Sequence, residues 1–208
     1  DYYASRGLGD VYKRQNKGCE IMIESKAGII GLAVGDAMGV PLEFCMREKL
    51  MKNPTTEMKG YGSHDVPKGS WSDDTSMTLA TIDSISKNGK IVPSDIANNF
   101  IEWMRNAKYT PTEKVFDIGR TTLQALARCE LMVEKAEEAG GNGEMDNGNG
   151  SLMRILPLAY YCYSKKMEDE EILKEVKVVS SITHRHEISI MGCYISVSYT
   201  HLTLPTTS

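Results

Sequence analysis

Aromatic side chains are scarce in this sequence, only 7% of its 208 residues, so its core has to be built from aliphatic side chains and closely approaching backbones. The 18 glycines and 12 methionines suit that task and favour helices over a β-sandwich. No C-x-x-C pair occurs among the five cysteines, Cys19, Cys45, Cys129, Cys162 and Cys193, which argues against a zinc ribbon, a thioredoxin-like site or a disulfide framework. They read as small core residues of a cytoplasmic protein. A basic excess is missing too: 24 Lys and Arg against 28 Asp and Glu leave a formal net charge of -4 and no general attraction for nucleic acid. The longest apolar stretch is interrupted by glycines and by Asp36, and the N-terminus lacks a charged start followed by an apolar run and a cleavage site. Neither a membrane partner nor an export signal is expected. What remains, 41% hydrophobic and 25% charged, is the balance of a globular protein.

From about Glu24 to Ile195 the chain reads as helices separated by Gly- or Pro-marked loops, with no useful period-2 strand pattern. All-α is the expected class. Helices are predicted from Ser25 to about Val40 and from Asp73 to Lys87. A third opens at Pro93-Ser94-Asp95, with Ile96, Phe100, Trp103 and Met104 at helical spacing. One or two more lie between Thr112 and Glu138, interrupted near Cys129. A glycine-dense loop over residues 140–150 is followed by predicted helices from Ser151 to about Ser164, Glu168 to Ser181 and His186 to Ile195. Residues 1–15 show no periodicity, and residues 196–208 are Thr/Ser-rich with a β-like alternation. Both ends are expected to be non-native extensions of a domain spanning residues 24–195.

Four clusters carry chemistry. In the first, Gly28, Gly31, Gly35 and Gly39 share one helix face, although each glycine costs a helix roughly 1 kcal/mol relative to alanine. Close approach of a neighbouring helix or of a ligand would explain the stripe. It leads into Gly35-Asp36-Ala37 and Glu43, and an Asp inside an apolar helix is expensive unless paired or functional. The second cluster, Ser72-Asp73-Asp74, can be a helix cap with a favourable dipole; it also supplies three oxygen ligands of mixed type, as a hard cation requires. The third, Asn147-Gly148-Asn149-Gly150-Ser151-Leu152-Met153-Arg154, is either a flexible linker or a loop-to-helix anion site capped by Ser151 and backed by Arg154. The fourth, Ser181-Ile182-Thr183-His184, ends a helix, where a histidine serves the dipole or a ligand.

Taken in this order, and with Phe116-Asp117-Ile118-Gly119 and Thr121-Thr122 between them, the clusters resemble the ADP-ribosylglycohydrolase family over about residues 25–195. The resemblance implies an all-α orthogonal multi-helix bundle, here incomplete, around a cleft for two Mg²⁺ ions, or Mn²⁺ in some members. It implies Ser72, Asp73 and Asp74 as metal ligands, with Ser72 where the family usually has Thr, and Glu43 and Asp74 as catalytic carboxylates. Asn149, Gly150, Ser151 and Met153 would line the pyrophosphate and distal-ribose side, and His184 would contact the phosphates or a ribose. Asp117 would support its loop. The implied activity is metal-dependent hydrolysis of the bond between ADP-ribose and an acceptor, ADP-ribosyl-arginine on a protein above others. The partner would be an ADP-ribosylated protein or a small ADP-ribosyl conjugate.

Similar proteins complete both metal sites with a Gly-Gly-Asp-Thr-Asp-Thr-like segment, and nothing after Arg154 matches it. The chain as written is therefore expected to bind Mg²⁺ weakly and to hydrolyse ADP-ribosyl substrates poorly or not at all. The alternative is a non-catalytic, ADP-ribose-binding or crystallin-like structural relative.

Overall fold

The computed structural model describes residues 25–131 and 135–204. The expected extension over residues 1–15 lies outside the described residues. Helix α1 occupies residues 25–39 and passes through a short 3-10 turn, Val40–Leu42, where Pro41 sits in the first turn. After it come α2 (Arg47–Lys52), α3 (Asp73–Asn88), α4 (Pro93–Asn106), α5 (Arg120–Glu130), α6 (Leu156–Lys165), α7 (Asp169–Ser181) and α8 (Glu187–Thr203). The class is all-α: among the described residues the sole β-type pairing is a single parallel bridge between Gly141 and His184.

Local chemistry accounts for several helix ends. Ser72 caps α3 by accepting from the Asp74 N–H, and Gly89 ends it in a left-handed conformation that glycine adopts freely. Pro93 opens α4, where its missing N–H has no consequence. A reciprocal box between Glu168 and Glu171 starts α7. Behind these ends lies one core, in which Met77 and Ala80 of α3 meet Phe100 and Trp103 of α4, Leu158 and Cys162 of α6, Val176 and Val179 of α7, and Cys193 and Val197 of α8. Helix α7 packs on α8, α3 on α4, and α6 bridges α8 and α3.

Two expectations are corrected. The helix predicted to begin at Ser151 begins at Leu156, with residues 150–154 forming turns. Pro157 explains this, because it is tolerated in a first turn but would break a helix already under way. The region Thr112–Glu138 holds α5, which ends at Glu130 beside Cys129 as expected, and a 3-10 turn, Ala136–Glu138. The last helix, predicted to end at Ile195, runs on to Thr203, because Val197 continues the buried stripe of Ile190 and Cys193 at helical spacing. No helix among the described residues is long and apolar enough to cross a membrane.

The glycine stripe shows the expected close approach at one of its four positions. A Cβ on Gly28 would fall 1.9 Å from the Tyr160 hydroxyl, a genuine close approach, but around Gly31, Gly35 and Gly39 no described residue comes within 4 Å of such a Cβ.

Candidate active site

Asp36, on the last turns of α1, reaches across to the start of α3. Its carboxylate accepts the Ser72 N–H at 3.0–3.1 Å, the Ser72 hydroxyl at 2.8 Å, the Thr75 N–H at 3.1 Å and the Thr75 hydroxyl at 2.6 Å. The Asp that looked costly in an apolar helix is thus paired with four donors, and it aims the first turn of α3. That turn directs Asp73 and Asp74 into a cleft of about 520 Å³.

Glu43, Asp73, Asp74 and Asp117 form the acidic part of its lining, and Gly148, Asn149, Gly150, Met153 and His184 another part, with Phe44, Arg120, Thr122 and Met145 also present. Seven expected site residues are brought together: Glu43, Asp73, Asp74, Asn149, Gly150, Met153 and His184. Two are placed behind the lining. The Ser72 hydroxyl gives its proton to Asp36. Ser151 is fully buried, its hydroxyl accepting from Ser180 at 2.9 Å and lying 3.4 Å from the Cys193 sulfur. Ser151 is therefore no helix cap, since α6 starts five residues beyond it, at Leu156. Arg154 is likewise wholly buried, stacked 4.6 Å from the Phe100 ring centroid and donating to the Val179 carbonyl and the Thr183 hydroxyl. It supports the wall of the cleft rather than facing it.

The acidic lining is crowded and short of cations. Burial first, then the charges of Asp74 and Asp117, pushes Asp73 up to about 8. Burial, followed by Asp36, Glu43 and Asp117, pushes Asp74 up to about 6. Glu43 is also raised by burial, against the opposing hydrogen bond from His64 at 2.5 Å. Arg120 lines the cleft but donates to the Met145 carbonyl at 3.3 Å. An all-oxygen cluster whose members repel one another is what a hard divalent cation relieves, so these residues fit such an ion. Glu43, His64 and Asp117 can in addition each offer one ligand atom within 4.8 Å of the others.

The opposite chemistry holds at His184. Gly140 and Gly141 donate to the Ser181 and Thr183 carbonyls, and Arg185 donates back to Gly141, so the glycine loop is laced to the end of α7. A Cβ on Gly150 would lie 2.6 Å from Cε1 of His184, so the imidazole occupies the space that a side chain would need. Burial, then the Arg154 charge, pulls His184 down to about 4 and keeps it neutral near pH 7.

His64 was not anticipated, and Asp117 was assigned only a supporting part. His64 sits in a turn-rich stretch where a lone histidine carries no signature. Its position depends on Gly62, at φ +86°, where a Cβ would strike the Pro41 carbonyl, and on the Phe116 ring, 5.1 Å away. A second cavity, about 480 Å³ between α1, α3 and α6, is lined mainly by Ile29, Ile30, Leu79, Ile82 and Tyr160 and holds none of the expected residues.

The sequence profile of the ADP-ribosylglycohydrolase family matches residues 24–206. The chain belongs to that family. An ADP-ribosylarginine hydrolase of Pseudomonas putida is 31% identical over 198 residues, covering 91% of this chain and 50% of the relative. An ADP-ribosyl-[dinitrogen reductase] glycohydrolase of Rhodospirillum rubrum is 29% identical over 167 residues, covering 79% of this chain and 52% of the relative. A solved structure described as an ADP-ribosylglycohydrolase-related protein complex superposes with a TM-score of 0.65 at 27% identity, over 86% of this chain and 55% of its own. This ADP-ribosylglycohydrolase chain thus spans about half the length of the curated relatives it matches.

Proposed function

We propose that the cleft binds ADP-ribose and hydrolyses its glycosidic bond to an acceptor, with the arginine side chain of an ADP-ribosylated protein as the preferred acceptor. The observation that carries this reading is the meeting, in one cleft, of the buried Asp73 and the half-buried Asp74 and Glu43 with a glycine-lined segment and a neutral histidine. Such a cleft offers oxygen ligands and a base to a ribose, and donors without net charge to a pyrophosphate. The names of the relatives support the same reading.

In the proposed mechanism Asp73 and Asp74 would hold the metal, while Ser72, behind the lining with its hydroxyl donated to Asp36 and accepting the Asp74 N–H, orients them. Bound Mg²⁺ or Mn²⁺ would supply Lewis-acid polarisation of ribose hydroxyls and water. Glu43 or Asp74 takes the proton of the attacking water as the anomeric carbon passes through an oxocarbenium-like state. His64 orients the Glu43 carboxylate by its hydrogen bond. Asn149, Gly150 and Met153 line the pyrophosphate and distal-ribose side, and His184 donates a hydrogen bond there. Because a second carboxylate motif does not follow Arg154 in this sequence, metal binding and turnover by this chain alone are proposed to be weak.

Calorimetric titration of the chain with ADP-ribose, with and without Mg²⁺, tests the reading, alongside release of ADP-ribose from ADP-ribosyl-arginine. Binding strengthened by Mg²⁺ is expected, with that gain lost in the double variant Asp73→Asn, Asp74→Asn. Absence of ADP-ribose binding under either condition, or fast metal-independent turnover that survives Glu43→Gln, overturns it.

A further inference from the structure

Thr183 is fully buried, and its hydroxyl oxygen stands between two nitrogen groups. On one side it accepts from Arg154 Nη2 at 2.8 Å, and a guanidinium can only donate. On the other it lies 2.9 Å from Nδ1 of His184. The hydroxyl proton of Thr183 needs an acceptor of its own, since a buried donor without one is costly. Among the described residues the hydroxyl makes no other hydrogen bond, which leaves Nδ1 as that acceptor.

The consequence lies on the far edge of the ring. If Nδ1 accepts, the neutral imidazole carries its proton on Nε2. Nε2 has no hydrogen-bond partner among the described residues, and it borders the cleft beside the glycine loop: a Cβ on Gly150 would be 3.2 Å from it and one on Gly148 3.9 Å. Arg154 is itself held in place by the Val179 carbonyl and the Phe100 ring, so the chain of donors has a fixed direction.

We infer that Thr183, oriented by Arg154, is a positioning residue that locks His184 in the Nε2–H tautomer and so presents a preset N–H donor to the anionic part of the substrate. The link to substrate rests on reading this cleft as an ADP-ribose site, whereas the tautomer does not. A neutral donor suits this place because the buried Arg154 charge behind the ring disfavours a second cation.

Long-range ¹H–¹⁵N correlation spectra of the histidine-labelled, ligand-free chain read the tautomer directly, with the His184→Gln variant assigning the signal. Wild type is expected to show Nδ1 unprotonated and Nε2 protonated. Thr183→Val, which keeps the shape and removes the hydroxyl, is expected to move the ring toward the Nδ1–H form and to weaken ADP-ribose binding by about tenfold, and Thr183→Ser to restore both. A wild-type ring protonated on Nδ1, or a Thr183→Val ring with an unchanged tautomer, overturns the inference; the wild-type spectrum decides even if Thr183→Val does not fold. A variant that changes tautomer while ADP-ribose binding stays the same upholds the relay and overturns the substrate reading instead.

Discussion

The Asp36 carboxylate accepts the Thr75 hydroxyl at 2.6 Å, joining α1 to the first turn of α3 across 39 positions of chain. With Ser72 it takes up four donors, so the turn that carries Asp73 and Asp74 is held by a carboxylate from a different helix. Asp36→Asn keeps the size but turns one acceptor oxygen into a donor facing other donors. It is expected to destabilise the chain by about 3 kcal/mol, measured by urea unfolding. A loss below about 0.5 kcal/mol, the range of an ordinary surface substitution, would show that the link is incidental.

Asp73 makes stability depend on pH in a direction opposite to an ordinary salt-bridged carboxylate. Its folded value, about 8, lies above the ordinary 3.8, so the folded chain keeps a proton that the unfolded chain releases. The stability this contributes is full below about pH 4 and is lost as pH rises through about 8. In chelator, Asp73→Asn is therefore expected to gain on wild type as pH rises from about 5 to about 8 in thermal unfolding, by a few kcal/mol. Mg²⁺ added at about pH 8 should raise the midpoint of wild type more than that of Asp73→Asn. Parallel pH curves for the two proteins would contradict the proposed burial of a protonated Asp73.

Two glycine substitutions should behave in opposite ways. Gly150→Ala places a methyl group 2.6 Å from the His184 ring and 3.1 Å from the Thr122 hydroxyl, so the ring must move. ADP-ribose affinity is expected to fall by about tenfold or more, in calorimetry, with the helical circular dichroism spectrum retained. Gly31→Ala meets no described atom within 4 Å on an exposed helical position. It is expected to stabilise the chain by roughly 1 kcal/mol, since alanine exceeds glycine in helix propensity by about that much.

Thiol reactivity should separate two cysteines sharply. Cys45 is exposed, whereas Cys162 is buried, and burial, then Glu175, pushes its thiol up to about 12. A maleimide is expected to label Cys45 in the native chain and Cys162 only in denaturant, as read by peptide mass spectrometry. Native labelling of Cys162 at a rate near that of Cys45 would mean that α6 opens readily.

Helix positions were legible wherever the deciding residues are neighbours in the chain. Ser72 before Asp73-Asp74, Pro93 before Ser94-Asp95, and Glu168 with Glu171 each mark a helix start from within one turn, and α3, α4 and α7 begin there. Where Pro157 competed with Ser151 for a start, the apolar run after the glycines pointed to Ser151, and the proline prevailed because its ring and missing N–H act only once a helix precedes it. The tail beyond Ile195 looked β-like from its alternation, yet Val197 falls on the buried face of α8.

For the cleft, residue types singled out the Asp73-Asp74 pair and the glycine loop, because carboxylate pairs and glycine loops are chemically conspicuous, while the resemblance to the family implied the roles of Glu43, Asp73, Asp74, Asn149, Gly150, Met153 and His184. Neither could reveal that the Ser151 and Arg154 side chains turn inward, or that His64 meets Glu43 across 21 positions. A helix start needs only the bonds of one turn, and these are written locally. The facing of a side chain, the protonation of Asp73 and the tautomer of His184 depend on which distant groups surround it and how much water they exclude. The sequence determined an all-α chain with a carboxylate pair at a helix start and a glycine loop before another helix. Tertiary structure alone decided that these meet in one cleft, with Asp36 and Arg154 behind its walls.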